Sequence, residues 1–421
     1  MKNIRIGVFG AKRGYYYFDN LLANNAEIVA VCDKDNNSLE RAKNKLGNDV
    51  AVYSDFDSFI EHPMDAVLLA NYFHEHTEYA IRCLEKNIHV LCECTSNSTT
   101  AEGVALVRAA KKSKAFYMLA ENYPFMLFNQ EMKRVYEGGT LGKVMFAEGE
   151  YNHPGDVYKN SGIYSLYDDL KHWRQYVPRT YYVTHSLAPI MYATGSLPVR
   201  VTAMPVYMPS PEDCTRASCV GDKAAIITCL NDDNSVFRVT GCSAFGAEEN
   251  SYRICGTKGQ IENVRGSDNM MVLNYNSWEI PEGMKKHNYY KTELVDKDAE
   301  LIKKAGHGGG DFFVVRKFFE AIRTNTPPEL DVYFATRLAS VAIMAHRSLL
   351  EGGMPYDIPD FRNEEDCVKF ENDNLSPFWY SDGTAPTLPC SSNPDYKPSQ
   401  TQIDNFLRIL EEERKNFNTK Q

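Results

Sequence analysis

No stretch of the 421 residues is apolar for the ~20 positions a membrane-spanning helix needs. The first apolar run opens at Ile4 with no basic-then-apolar leader before it, so a soluble, cytoplasmic protein is expected. A block of clustered Lys and Arg is missing too, and the net charge is −10, which argues against nucleic acid because phosphate binding relies on clustered cations. The cysteines number 11, an odd count at irregular spacing, which suits reduced thiols better than a disulfide framework. Neither an internal repeat nor a low-complexity segment is present. No metal constellation stands out either: Cys92 and Cys94 flank Glu93 as residues at a strand end, and His74-Glu75-His76 has no evident third ligand.

What is present begins at once. Ile4 to Phe9 (IRIGVF) is an apolar run, Gly10 to Gly14 (GAKRG) a glycine-bounded turn, and Tyr15 to Asn24 is predicted helical with Phe18, Leu21 and Leu22 on one face. Glu27 to Cys32 is a second apolar run that closes on Asp33. This order is that of a nucleotide-binding βαβ unit, in which turn amides and a helix N-terminus hold a pyrophosphate and an acid accepts from a ribose hydroxyl. Asp33 lies 19 residues after Gly14, near the ~20-residue spacing expected of that acid, and would repel a 2′-phosphate, so NAD is favoured over NADP. Lys12 stands where G-x-G-x-x-G has its second glycine, and its charge can strengthen the hold on a pyrophosphate.

Alternation continues to about residue 120: a helix capped at Asn37, a strand at Asp65 to Ala70, then helix, strand, helix and strand through Thr77 to Lys86, Ile88 to Cys92, Thr100 to Ser113 and Ala115 to Ala120. The pattern predicts an α/β fold, with an N-terminal Rossmann-type doubly wound parallel sheet over residues 1–122. Ligands on such a sheet sit beyond the carboxyl ends of its strands, which singles out the loops at Asn71 to His76, Glu93 to Asn97 and Glu121 to Pro124. Residues 123–358 read differently. A helix over Phe125 to Tyr136, a strand from Gly142 to Tyr151 and an aromatic-rich stretch to His185 precede six strand-like runs without intervening helices. Such a run of strands predicts an α+β domain with a largely antiparallel, open sheet that can offer one face to a partner subunit, hence a homo-oligomer, dimer or tetramer. After Gly306 to Gly310, Asp311 is predicted to cap a helix, and Val332 to Leu350 forms another. Residues 359–421 form a loop-rich C-terminal extension ending in an amphipathic helix from Gln400 to Phe417.

The GAKRG turn, the Asn71 to His76 loop, the acid at Glu93 and the order of elements resemble the glucose–fructose oxidoreductase and inositol dehydrogenase (Gfo/Idh/MocA) family over about residues 1–350. That family carries an E-K-P loop whose lysine assists hydride transfer, whereas this chain reads Glu93-Cys94-Thr95. The second half is more similar to one branch, the NAD-dependent glycoside hydrolases of family 109, through Glu148-Gly149-Glu150-Tyr151 with His153, His172-Trp173-Arg174, Thr184-His185-Ser186-Leu187-Ala188-Pro189, Ser251-Tyr252-Arg253 and Gly306-His307-Gly308-Gly309-Gly310-Asp311-Phe312. In that branch too the E-K-P position lacks lysine. Ser186, Ala188 and Gly310 depart from the usual form of these motifs, so the resemblance does not carry substrate identity.

The resemblance implies an enzyme that oxidises a sugar at C3 with bound NAD, eliminates the C1 substituent, adds water and returns the hydride. It implies His185 as acid or base at C3, Tyr151 and Tyr252 as proton carriers at C2 and C1, and His153, Trp173, Arg174, His307 and Asp311 as substrate contacts. The cofactor contacts would be Gly10, Lys12, Arg13, Gly14, Asp33, Asn71, His74, His76, Glu93 and Asn122. Each has a plainer reading. An isolated histidine is usually a structural hydrogen-bonder, and a strand tyrosine usually packs its ring. A sugar or cyclitol dehydrogenase or epimerase, and a non-catalytic NAD-binding sensor, are the competing functions.

Overall fold

The computed structural model describes residues 3–159, 167, 169–267 and 269–419; part of the aromatic-rich stretch before His185 lies outside them. Six parallel strands, β1 (Ile4–Phe9), β2 (Ala26–Cys32), β3 (Ala51–Tyr53), β4 (Ala66–Leu69), β5 (His89–Cys92) and β6 (Tyr117–Leu119), form one sheet in the order β3-β2-β1-β4-β5-β6. Helices cover both faces, which is why the strands are near-continuous apolar runs and Ala66 to Leu69 is buried throughout. Their N-termini are fixed by side chains: Asp35 caps Asn36–Leu46, and Thr99 with Glu102 forms a capping box on Thr100–Lys112. The predicted cap at Asn37 is thus displaced to Asp35, whose carboxylate takes the Asn37 and Ser38 amides.

The single helix expected over Tyr15 to Asn24 is instead a short helix Ala11–Gly14, a 3-10 turn Tyr15–Tyr17 and a helix Phe18–Ala23. The breaks rotate Leu22 outward while Phe18 and Leu21 stay buried.

The second sheet has nine strands, β7 (Val144–Asn152), β8 (Pro198–Tyr207), β9 (Asp222–Asn231), β10 (Val236–Thr240), β11 (Glu249–Gly256), β12 (Gly259–Asn263), β13 (Met270–Tyr275), β14 (His287–Lys291) and β15 (Tyr356–Asp357). They run β14-β13-β12-β11-β7-β10-β9-β8-β15, antiparallel except where β10 joins β7. One apolar core runs without a break from Ile4 to Phe378, so the two sheets are not separately packed. The buried helix Val332–Leu350, capped by Asp331, packs against β6, β8 and the helix Thr100–Lys112 and spans the seam. Among the described residues, no helix is long and apolar enough to cross a membrane.

Two elements differ from expectation where the site is built. Residues Thr184–Thr194 form a helix, hidden in the sequence by Pro189 and by burial on nearly every side. Asp311 does not cap the helix Gly310–Thr324; Gly309, in the left-handed region, precedes it, and Asp311 sits in its first turn with its carboxylate turned to His307.

Beyond residue 358 the chain returns to the helix Thr100–Lys112 through Asp373. Arg347 holds Asp373 through two hydrogen bonds of 2.6 and 2.8 Å, and the Asp373 carbonyl accepts from the Ala101 amide at 3.1 Å. The last helix, Gln400–Thr419, makes a small second core in which Phe406, Ile409 and Leu410 meet Tyr167 and Ala217.

Gly149 of β7 faces the start of the helix Thr184–Thr194 so closely that a Cβ there would collide with the Ser186 carbonyl oxygen. Gly149→Ala is expected to lower stability by about 2–3 kcal/mol through overpacking, read as a drop in Tm. An unchanged Tm would show that the helix can back away from the strand.

Candidate active site

The turn after β1 is shaped by two close approaches. Gly10 has φ of 90°, and a Cβ there would strike the Ala70 carbonyl; a Cβ on Gly14 would strike Val8. Position 12 is under no such constraint, which is why Lys12 is tolerated: its amide donates to Asp33 Oδ2 at 3.1 Å while Asp33 Oδ1 accepts from Asp35 at 2.9 Å. Asp33 is thereby fixed at the end of β2. Burial raises its pKa, with the two amides opposing. Arg13 crosses to Glu93, Nε to Oε1 at 2.7 Å, and the Tyr17 hydroxyl donates to the same oxygen at 2.7 Å. Glu93 holds the guanidinium firmly protonated. Beyond β4, both side-chain polar atoms of Asn71 are buried without a hydrogen-bond partner, at the edge of the cavity. A glycine cradle, a fixed acid and an unsatisfied amide at the carboxyl ends of parallel strands fit a dinucleotide.

The cavity these residues open into has a volume of about 1280 Å³ and continues across the seam to β7 and the helix Thr184–Thr194. His76 lines it from the first turn of the helix His76–Glu85, with Nδ1 2.8 Å from the Thr95 carbonyl oxygen; burial lowers its pKa, so the ring is neutral. His74 does not line it, contrary to expectation. Its Nε2 is 2.8 Å from the Trp379 carbonyl oxygen, its ring stacks on Phe378 with centroids 5.0 Å apart, and burial lowers its pKa to about 3. It anchors the C-terminal extension.

At the seam stands the central pair. His185, in the first turn of its helix, has Nδ1 2.9 and 3.0 Å from the two carboxylate oxygens of Glu121, which has no exposed surface. Burial would raise the Glu121 pKa, but the charge and hydrogen bond of His185, the Cys94 thiol at 3.1 Å and the Tyr123 amide at 3.2 Å together lower it. An ionised carboxylate only accepts, so Nδ1 carries hydrogen and Nε2 is the nitrogen open to proton exchange. Tyr123 stacks on the His185 ring at 4.3 Å and Tyr151 meets it edge-on at 4.9 Å. Burial, then the neighbouring Tyr123, pushes the Tyr151 hydroxyl far above the usual phenol range, so it holds its proton and serves as a donor.

Tyr252 is not brought into the cavity. It is 1% exposed and its hydroxyl donates to the His185 carbonyl oxygen at 2.6 Å, so it fixes the first turn of the helix Thr184–Thr194. His153 does line the cavity, stacked on Tyr151 at 5.7 Å with Nδ1 3.0 Å from Glu248. Trp173 stacks on Phe73 at 4.9 Å, and the Arg174 guanidinium lies 4.4 Å above Trp173 while donating to the Tyr182 hydroxyl at 3.2 Å. Both face the cavity. His307, itself in the left-handed region, sits 3.0 Å from Asp311, which also accepts from the Asn122 amide. His307 and Asn122 line the cavity and Asp311 stands behind them as the group that orients both.

Sequence reasoning missed Glu121, Tyr123, Arg179, Lys223 and Phe406, all of which bear on the cavity. For Glu121 a signal existed: it is an acid closing an apolar run, on one of the three strand-end loops singled out above.

Comparisons with known proteins agree with this division of labour. Residues 4–121 match the family model described as an oxidoreductase family with an NAD-binding Rossmann fold (Gfo/Idh/MocA), and residues 221–366 match the glycosyl hydrolase 109 C-terminal domain. A glycosyl hydrolase family 109 protein of Saccharopolyspora erythraea is 23% identical over 393 residues, covering 86% of this chain and 83% of that protein. One from Stenotrophomonas maltophilia is 21% identical over 407 residues, covering 86% and 89%. Among solved structures, a levoglucosan dehydrogenase in complex with NADH and L-sorbose superposes with a TM-score of 0.69 at 18% identity, covering 86% of this chain and 100% of that one. A myo-inositol 2-dehydrogenase from Lactobacillus plantarum gives 0.64 at 18%, covering 85% and 100%. The chain thus joins the NAD-binding Rossmann domain of the Gfo/Idh/MocA oxidoreductases to a C-terminal domain of the glycosyl hydrolase 109 type.

Proposed function

We propose that this NAD-dependent, carbohydrate-acting enzyme is a glycosidase working through transient oxidation at C3 of the sugar. The observation that carries the reading is the buried Glu121–His185 pair beside Tyr151, where the dinucleotide cleft opens into the substrate side. The relatives named glycosyl hydrolase family 109 proteins support it. Bound NAD supplies reversible hydride transfer; Gly10, Lys12, Arg13, Gly14, Asp33, Asn71, His76, Glu93 and Asn122 are the residues that would hold it.

His185 Nε2 takes the proton of the C3 hydroxyl, and Glu121 stabilises the imidazolium that results. Where a lysine would stand in the E-K-P loop, Cys94 donates its thiol hydrogen to Glu121, and burial, then Glu121, keeps that thiol protonated. Cys94 therefore supports the pair and moves no proton itself. A carbonyl at C3 acidifies the C2 hydrogen, and we assign its removal to His153, oriented by Glu248. Tyr151, protonated at rest, gives its proton to the oxygen leaving C1 and regains one from the water that adds there. Arg174, laid flat over Trp173, supplies a planar face for the ring, and His307 a hydrogen bond to a hydroxyl. The open outer face of the second sheet, where Arg238 and Arg253 pair with Glu148 and Arg265 with Glu150, is where we place a homo-oligomeric contact.

In D2O with aryl glycosides, the expected result is aglycone release, deuterium at C2 and no net NADH absorbance. Stoichiometric NADH without cleavage would instead establish the dehydrogenase reading that the levoglucosan and myo-inositol dehydrogenase folds suggest. His185→Ala should abolish turnover while NAD stays bound, and Glu121→Gln should lower kcat by roughly 10²–10⁴. Wild-type rates in either variant would overturn the assignment.

The His307–Asp311 pair sets a pH dependence. The hydrogen bond to Asp311 raises the His307 pKa above 6.5 against the opposing effect of burial; burial would raise the Asp311 pKa, but His307 and Asn122 lower it below 3.8. The histidine's contribution to stability is complete below its unfolded value of about 6.5 and fades as pH rises through the higher folded value. The aspartate's contribution is present above its unfolded value and is lost as pH falls through the lower folded one. The Tm difference between wild type and Asp311→Asn should therefore shrink as the pH is raised from about 6 to about 8. A constant difference would show that the pair is not charged.

A further inference from the structure

The far wall of the cavity contains two cations, Arg179 and Lys223, that pair with no carboxylate among the described residues. Lys223, the second residue of β9, is 7% exposed and its Nζ donates to the Ser210 hydroxyl at 2.8 Å. Arg179 opens the 3-10 turn Arg179–Val183 that leads into the His185 helix; its Nε donates to the Asp222 carbonyl oxygen at 2.9 Å and one terminal nitrogen lies 3.9 Å from Cys242 Sγ. Both face the same cavity as His185.

Among the described residues, every carboxylate that lines this cavity is engaged elsewhere. Asp33 and Asp35 accept backbone amides, Glu75 accepts from Ser381, Glu93 holds Arg13, Asp156 faces Lys159 and Glu248 faces His153. The carboxylate of Asp222, adjacent in sequence, is turned to Ser391 and Ser392. Among the described residues neither Lys223 nor Arg179 forms an ion pair, and the pKa of Lys223 is lowered, first by burial and then by Arg179. Two neighbouring cations, one of them almost fully buried, are costly unless an anion completes them.

The pyrophosphate of NAD is not that anion. Arg179 stands six residues before His185, and Ser243, next to Cys242, donates to the Tyr151 carbonyl oxygen at 2.9 Å, so the two cations lie on the His185–Tyr151 side, across the seam from the Gly10 turn. We propose that Arg179 and Lys223 form a subsite for an oxyanion, a carboxylate, sulfate or phosphate, carried by the substrate. The substrate is then an acidic glycoside and not a neutral one. This rests on the cavity being the carbohydrate site of the proposed function.

The test uses the full chain saturated with NAD. Acetate, sulfate and inorganic phosphate are titrated by calorimetry at constant ionic strength against a chloride control. At least one should bind above the control, and Lys223→Met should weaken it about tenfold, the scale of one lost charge-assisted hydrogen bond, with NAD affinity unchanged. Lys223→Arg, which keeps the charge, should retain binding, and it decides the matter if Lys223→Met does not fold. Which ion binds separates carboxylate from sulfate and phosphate substituents. No binding beyond chloride, or binding indifferent to both Lys223→Met and Arg179→Gln, overturns the subsite. Turnover is then measured on matched neutral, glucuronide and sulfated aryl glycosides. Lys223-dependent ion binding without cleavage of any glycoside would leave the subsite standing and remove the glycosidase reading. Cleavage of neutral glycosides with no Lys223-dependent ion binding would do the reverse.

Discussion

A carboxylate sealed from water is the constraint on which this molecule turns. Glu121 lies two residues past the last parallel strand with no exposed surface and remains ionised because a histidine from the other half of the chain, a thiol and an amide converge on it. Removing one partner from a buried charge costs about 3–5 kcal/mol, so the two halves of the chain are bound at the point where the cavity crosses between them. The surrounding structure holds that contact in register. The Tyr252 hydroxyl grips the His185 carbonyl from below, the Ser186 carbonyl rests on Gly149, and Tyr123 covers the ring.

How much of this could be read in the sequence follows from how burial writes itself into residue order. Five of the six parallel strands were legible because burial on both faces leaves near-continuous apolar runs, and strands β7 to β13 because burial on one face leaves alternation. Three short strands escaped notice. Ala51–Tyr53 and Tyr356–Asp357 have three and two residues, and His287–Lys291 is a polar edge strand. The helix bearing His185 escaped because its buried residues surround it and Pro189 interrupts it.

The site divides along the same line. Asp33, Tyr151 and His185 belong to local patterns, and all three line the cavity. A motif fixes a residue type without fixing what its polar atom meets, which is how Tyr252 passed for a proton carrier when its hydroxyl is committed to a carbonyl. Glu121 is 64 residues from His185, and Lys223 is 44 from Arg179, so only the fold brings either pair together. His74 was misjudged for the same reason, its partner Trp379 lying 305 residues away.

That last separation bears on how the protein comes into being. The turn at Gly10 and the sheet beneath it are complete once roughly the first third of the chain has emerged, whereas Phe406 and Ser381, which also line the cavity, arrive near the end. At the usual elongation rates of about 5–20 residues per second, 305 residues take on the order of 15–60 s. Over that interval the strands of the parallel sheet are completed while the segment that finishes the cavity wall has yet to be made. The segments that carry Ser381 and Phe406 decide when the cavity acquires its full lining.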